Sequence, residues 1–149
     1  MEDDGKAIRY AQGAILPYAP ERMFDLVADV ERYPEFLAEY RNARIRSRAG
    51  DTLYVDQVIG LAFIELRLSA VATLLRPHSI RVRSQHELLG SLEVRWGFEP
   101  AAAGTRVEFR MELMPASRVA AGIAGYLLAK SAARTLDAFA RRARRVYGE

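Results

Sequence analysis

The chain contains no cysteine, a single tryptophan and only two histidines among its 149 residues. Without cysteine it can form no disulfide, thiolate nucleophile, iron–sulfur cluster or cysteine-ligated zinc site. The longest uncharged run in its last third, Val119 to Ala129, has eleven residues, whereas a membrane-spanning helix needs about 20. The acidic start, Met1 to Gly5, lacks the apolar segment of a secretory signal. We therefore expect a cytoplasmic protein.

The composition indicates one domain over residues 1–149, of which residues 1–7 are expected to form a flexible tail. Half of the residues are hydrophobic, which argues against disorder, and the length fits a single domain. The net charge of +3 is unevenly distributed, since residues 117–149 hold seven basic and two acidic side chains. The positive charge is therefore a property of the C-terminal segment.

The hydrophobic pattern predicts a strand, two short helices, a series of strands and a long helix. Residues 8–16 suggest the first strand, and Pro20 suits the first position of a helix. Tyr33-Pro34 interrupts that helix, because the residue before a proline avoids the α region, and residues 35–40 are expected to form a second helical turn. Apolar and polar residues then alternate in six segments, which is typical of half-buried antiparallel strands. These segments are residues 41–48, 53–59, 64–75, 80–85, 92–99 and 107–113.

A long amphipathic helix closes the chain. Ser117 is a suitable N-cap and Gly148 suits the position after the last turn. The order of elements predicts an α+β fold in which a curved antiparallel sheet wraps around this helix. Any gap between sheet and helix would be an elongated apolar cavity. The expected apolar stripe of the helix consists of Val119, Ile123, Leu127, Leu128, Ala132, Leu136, Phe139, Ala143 and Val146.

The sequence offers little material for catalysis. It contains no phosphate-binding glycine loop, no dinucleotide fingerprint and no zinc-protease motif, and no nucleophile elbow. A metal site would have to combine His78, His86 and Glu87, and surface histidines are the better interpretation. The paired acidic residues of the strands occupy positions between the apolar ones. We therefore expect them to lie, together with arginines, on the outer face of the sheet, which solvent covers. These acids are Glu93, Glu99, Glu108 and Glu112.

The segment Leu16 to Leu37, with Pro20-Glu21-Arg22-Met23-Phe24 and Tyr33-Pro34-Glu35-Phe36, closely resembles the opening motif of the coenzyme Q-binding proteins and the related ribosome-association toxins. These proteins belong to the START-like, polyketide cyclase superfamily. Leu89-Gly90 with Trp96-Gly97-Phe98 is similar to a strand motif of that family. Members usually carry a Pro-Trp or Pro-Gly pair after the opening motif, where this chain has Ala38-Glu39-Tyr40.

The resemblance implies a helix-grip fold with a long hydrophobic cavity between the sheet and the C-terminal helix. It further implies non-catalytic binding of ubiquinone or a related isoprenoid lipid in support of respiratory electron transport, with no other cofactor and no metal. The strands, the helix and the segment at Tyr33 would then supply the cavity lining. The expected lining residues are Phe24, Val27, Tyr33, Pro34, Phe36, Trp96, Phe98, Phe109, Met111, Ile123, Leu127 and Leu128.

The basic face of the C-terminal helix predicts docking on an anionic membrane surface, so that the protein would lie peripheral to the inner membrane. Six basic residues and one acid occur between Lys130 and Arg145. Positive charge near the C-terminal end of a helix is favourable, but that effect alone does not require so many basic residues. Two other functions stay open, a toxin-type regulator bound to the large ribosomal subunit and a small cyclase- or hydratase-type enzyme. The expected docking residues are Lys130, Arg134, Arg141, Arg144 and Arg145.

Overall fold

The computed structural model describes residues 7–61 and 63–148, apart from the side chains of Leu61, Ile123, Ala124 and Leu127. The expected flexible tail lies almost entirely outside this part of the chain. The described residues form seven strands, two α-helices and one 3₁₀ helix. Their bounds are β1 Ile8–Leu16, α1 Pro20–Ala28, the 3₁₀ helix Val30–Glu35, β2 Tyr40–Ala49, β3 Thr52–Leu61, β4 Ile64–Leu75, β5 Ser79–His86, β6 Gly90–Ala101, β7 Gly104–Pro115 and α2 Arg118–Tyr147.

The strands form one antiparallel sheet in the order β1-β7-β6-β5-β4-β3-β2. Consecutive strands from β2 to β7 are neighbours, and β1 pairs with β7 from Ile8 opposite Leu113 to Leu16 opposite Thr105. Two irregularities in the pairing of β2 with β3 interrupt its register, and such bulges increase the local bend of a sheet. The curved sheet holds α2 against its apolar face, as the sequence pattern predicts.

The two short helices lie between β1 and β2, but the second one begins earlier than expected. The predicted helical turn at residues 35–40 is wrong, because the 3₁₀ helix ends at Glu35 and Tyr40 already begins β2. Pro34 lies inside this helix. Its fixed backbone angle suits a helical turn, and the chain leaves the helix after Glu35 with the amides of Phe36 and Leu37 both donating to the Tyr33 carbonyl.

Helix α2 has the expected ends. The Ser117 hydroxyl accepts a hydrogen bond from the Ala120 amide at 3.0 Å, and Gly148 follows the last turn with φ of +83°. The stripe reaches neither end of the helix, since Val119 is 75% and Val146 49% exposed. None of the described helices combines the length and hydropathy needed to cross a membrane. The buried part of the stripe consists of Leu128, Ala132, Leu136, Phe139 and Ala143.

The outer face of the sheet is charged, as predicted. Glu93 lies among three arginines and accepts hydrogen bonds from Arg81 and Arg95, both at 2.7 Å. These hydrogen bonds lower the pKa of the Glu93 carboxyl. On β1 and β7, Arg9 pairs with Glu112 at 3.0 Å. Exposed pairs of this kind contribute little to stability, so the apolar inner face and α2 hold the fold together.

Candidate ligand-binding cavity

A cavity of about 120 Å³ lies between the inner face of the sheet and α2. An engineered cavity of about 150 Å³ can hold benzene, so this space corresponds to a single ring rather than a whole isoprenoid chain. It is therefore smaller than the long cavity that the resemblance implies. The described residues that line it are Val30, Tyr33, Leu37, Glu39, Tyr40, Val55, Gln57, Ile59, Leu68, Ala70, Ala72, Val82, Ser84, Leu92, Val94, Trp96, Phe109, Met111, Leu128, Ser131, Ala132, Thr135 and Phe139.

Five of the residues expected from the sequence line this cavity. Trp96 on β6 and the β7 residues Phe109 and Met111 point inward because they share the parity of the apolar face. Leu128 reaches the cavity from α2 and Tyr33 from the 3₁₀ helix. The alternation in the strands and the stripe on the helix therefore bring together residues that are distant in the chain.

Three of the other expected residues lie in solid core. Phe24 and Phe98 are each 2% exposed, and their ring centroids are 5.6 Å apart. Val27 is 1% exposed on the same helix as Phe24. None of these three lines the cavity, because α1 covers the inner face at this end of the sheet and fills the space. They support the wall from behind and do not form it.

The remaining expected residues of the opening motif face outward or lie behind the wall. Pro34 is exposed, and the ring of Phe36 packs on Phe139 with a centroid distance of 5.0 Å. The guanidinium of Arg142 covers the other side of Phe36 at 4.9 Å. The side chains of Ile123 and Leu127, also expected in the lining, are outside the described part of the chain.

An aromatic cluster centred on Phe139 closes one side of the cavity. The Phe139 ring lies 5.0 Å from Trp96, 5.4 Å from Tyr33 and 5.0 Å from Phe36, in each case nearly edge-on. Edge-to-face contacts of this kind are favourable beyond the area that they bury. The Tyr33 hydroxyl donates to the Val27 carbonyl. The cluster thus ties α2, the 3₁₀ helix and β6 into one rigid wall.

The cavity also has a polar wall that the sequence analysis underestimated. Gln57 lies between Val55 and Ile59 on β3 and shares their inward parity, and Ser84 follows Ile80 and Val82 on β5 in the same way. The same alternation that identifies the apolar face therefore also places these two polar residues on the inner face of the sheet. The further polar residues of the lining are Glu39, Tyr40, Ser131 and Thr135.

A salt bridge joins this polar wall to α2. The Glu39 carboxylate, only 14% exposed, accepts a hydrogen bond from Arg134 at 2.8 Å. Burial and the nearby Glu39 charge raise the pKa of Tyr40 to about 12, so its hydroxyl stays protonated at neutral pH. Both residues belong to the Ala38-Glu39-Tyr40 segment, where the chain departs from the family pattern.

The five expected docking residues are all exposed on α2, but they differ in their partners. Arg134 pairs with Glu39 and Arg141 with Asp137. Within the described residues, Lys130, Arg144 and Arg145 make no ion pair, and the Lys130 ammonium lies over an aromatic ring. Among the described residues, the positive charges of Lys130, Arg144 and Arg145 therefore have no acidic partner.

The structure gives the histidines no metal-binding arrangement. The His86 Nδ1 accepts hydrogen bonds from the amides of Leu88 and Leu89 at 3.1 and 3.2 Å, which stabilises the β5–β6 hairpin. His78 lies in the turn between β4 and β5. Among the residues that the structure describes, no three acidic or histidine side chains converge as a metal site would require.

The family model for polyketide cyclase / dehydrase and lipid transport matches residues 16–140. The chain belongs to this family. Its curated relatives include the ribosome association toxin RatA of Rickettsia prowazekii, 29% identical over 136 residues that cover 89% of this chain and 93% of the relative. The mitochondrial coenzyme Q-binding protein COQ10 homolog B of Xenopus laevis is 24% identical over 148 residues, which cover 96% of this chain and 61% of that protein.

Among solved structures, the Zhui aromatase/cyclase of a Streptomyces species superposes with a TM-score of 0.84. The match covers 95% of this chain and 96% of that one, at 14% sequence identity. So low an identity shows the shared fold alone. The predicted START-like, helix-grip architecture is thereby confirmed, and the match to the family model confirms the predicted membership of the polyketide cyclase superfamily.

Proposed function

We propose that this protein binds a hydrophobic ligand, most simply an isoprenoid quinone, and carries it without chemical change. The observation that supports this function is the partly open cavity between sheet and α2, whose described wall is formed mainly by aliphatic and aromatic side chains. Each methylene moved from water into such surroundings contributes about 0.8 kcal/mol. The name of the COQ10 relative indicates a quinone as the ligand.

Carriage without catalysis fits the residues of the wall. Within the described lining the one acidic side chain, Glu39, is engaged by Arg134, and no histidine faces the cavity. A general acid or base must lie within hydrogen-bond reach of the reacting group. Among the described lining residues, a cyclase-type function would therefore have to rely on tyrosine, serine and threonine hydroxyls.

The purified protein should bind a ubiquinone analogue with a decyl tail and release it unchanged. Quinone binding is measured by quenching of Trp96, which is the single tryptophan and lines the cavity. Mass spectrometry of the recovered ligand then separates carriage from catalysis. Absence of saturable quenching would contradict ligand binding, and a changed ligand mass would favour the enzyme.

We further propose that the uncompensated basic residues of α2 hold the protein on an anionic membrane. Each such residue contributes about 1 kcal/mol near an anionic surface, and salt screens the attraction over roughly 8 Å at physiological ionic strength. The combined change Lys130→Glu, Arg144→Glu and Arg145→Glu should abolish flotation with anionic vesicles at low salt while leaving quinone quenching intact.

The matched control reverses three exposed arginines on strands of the sheet, Arg48→Glu, Arg67→Glu and Arg106→Glu. It changes the net charge equally but should leave flotation largely unchanged. If both triple variants lose flotation alike, net charge rather than the α2 surface governs binding. If the unaltered protein floats equally well with neutral vesicles, the docking proposal is wrong.

A second candidate function is that of a ribosome-associated regulator, favoured by the name of the RatA relative. The same basic surface of α2 would then contact ribosomal RNA phosphates, whose binding is also sensitive to salt. Co-sedimentation of the purified protein with ribosomal subunits tests this function directly. The regulator would be favoured over the carrier if the unaltered protein sedimented with ribosomal subunits, the α2 triple variant did not, and no quinone binding were found.

A further inference from the structure

Gln57 is a buried amide without a partner. It is 9% exposed and lines the cavity from the middle of β3, yet its side chain makes no hydrogen bond within the described residues. A carboxamide has two donors and two acceptor positions. Because polar groups in protein interiors are nearly always hydrogen-bonded, its position in the cavity wall makes the Gln57 amide available to a polar atom of a ligand.

Two more polar groups face the same space. Tyr40 is paired with Ile59 on β3, so it lies diagonally across from Gln57 on the inner face. Its hydroxyl makes no hydrogen bond to a described residue, although its ring packs on Tyr33 at a centroid distance of 5.2 Å. The Ser84 hydroxyl is also buried without a partner. The cavity therefore presents neutral hydrogen-bonding groups at one side.

The charges around the cavity disfavour an anionic ligand. No lysine or arginine belongs to the described lining, and Glu39 contributes a negative charge. Arg134 on α2 is already engaged by Glu39 of the lining at 2.8 Å. A carboxylate or phosphate in the cavity would be buried without a counter-charge, which is strongly unfavourable. A neutral polar group has no such penalty.

We infer that Gln57 and Tyr40 form a polar subsite that recognises the carbonyl oxygen of a neutral, ring-shaped head group and excludes ligands that end in a carboxylate or phosphate. The cavity volume of about 120 Å³ accommodates one ring, so the tail of the ligand leaves the cavity. This inference rests on the proposed ligand-binding function and specifies the part of the ligand that is recognised.

The test uses Gln57→Leu, which approximately keeps the size of the side chain and removes its hydrogen-bonding groups. The probes are a ubiquinone analogue with a decyl tail, decylbenzene and the fatty acid of matching length. Quenching of Trp96 reports quinone binding, and displacement of the quinone reports the other two. Gln85→Leu, an exposed glutamine on β5, is the matched control.

The unaltered protein should bind the quinone about tenfold more tightly than decylbenzene, and the fatty acid more weakly than the quinone. Gln57→Leu should weaken quinone binding about tenfold and leave decylbenzene unchanged, while Gln85→Leu changes neither. The proposed subsite would be wrong if Gln57→Leu bound the quinone within about twofold of the affinity of the unaltered protein. It would also be wrong if the unaltered protein bound the fatty acid and the quinone equally well. Binding of decylbenzene would then still support the proposed function, whereas binding of no probe refutes both.

Discussion

Ala132→Leu should reduce quinone affinity about 100-fold or more. Ala132 is 2% exposed on α2 and lines the cavity, so the larger side chain occupies the space that a ring would fill. Excluding a ring removes roughly 2–3 kcal/mol of apolar burial from the bound state. Filling a cavity commonly stabilises a fold by about 0.5–2 kcal/mol, so we expect an unchanged or higher melting temperature.

The neighbouring substitution Ala133→Leu is the matched control. Ala133 lies on the same helix but is exposed, so the change in helix propensity is the same and the cavity is untouched. Titration by quenching of Trp96 and thermal melts of both variants decide the outcome. Equal quinone affinity in Ala132→Leu and Ala133→Leu would show that the ligand binds elsewhere on the surface.

Most of the fold could be predicted from the sequence because its signals are local and regular. The period of two in the strands and the long apolar stripe of α2 determine which faces are buried. The prediction for residues 35–40 is wrong because Pro34 does not separate two helices but lies inside the 3₁₀ helix. The spacing of residues in the sequence does not distinguish a proline that ends a helix from one that a short 3₁₀ segment includes.

The cavity lining was harder to predict. A side chain that points to the inner face of the sheet can either line the cavity or be buried in solid core, and the sequence pattern does not distinguish the two. Phe98 and Trp96 share the inner face of β6, yet α1 covers Phe98 and not Trp96. That difference depends on where α1 rests on the sheet, which the periodicity does not specify. Gln57 shares the inward parity of Val55 and Ile59 on β3, but a search for apolar lining residues does not identify a polar side chain at such a position.

Phe139→Ala should destabilise the fold by about 3–5 kcal/mol, the usual cost of truncating a buried phenylalanine. Phe139 is 1% exposed, and its ring contacts Trp96, Tyr33 and Phe36 on two other elements. Its loss leaves a void that these rigid rings cannot fill by small movements. For a chain of this length the melting temperature should fall by about 6–20 °C.

The exposed residue Phe63 provides the matched control. Its side chain is fully accessible to solvent on the β3–β4 hairpin, so Phe63→Ala should change the free energy of unfolding by no more than about 0.5 kcal/mol. Chemical denaturation followed by Trp96 fluorescence compares the two variants. A loss below about 1 kcal/mol in Phe139→Ala would mean that the ring cluster repacks around the void. In that case α2 is not fixed by Phe139, and the cavity wall is more adaptable than the contacts of this side chain indicate.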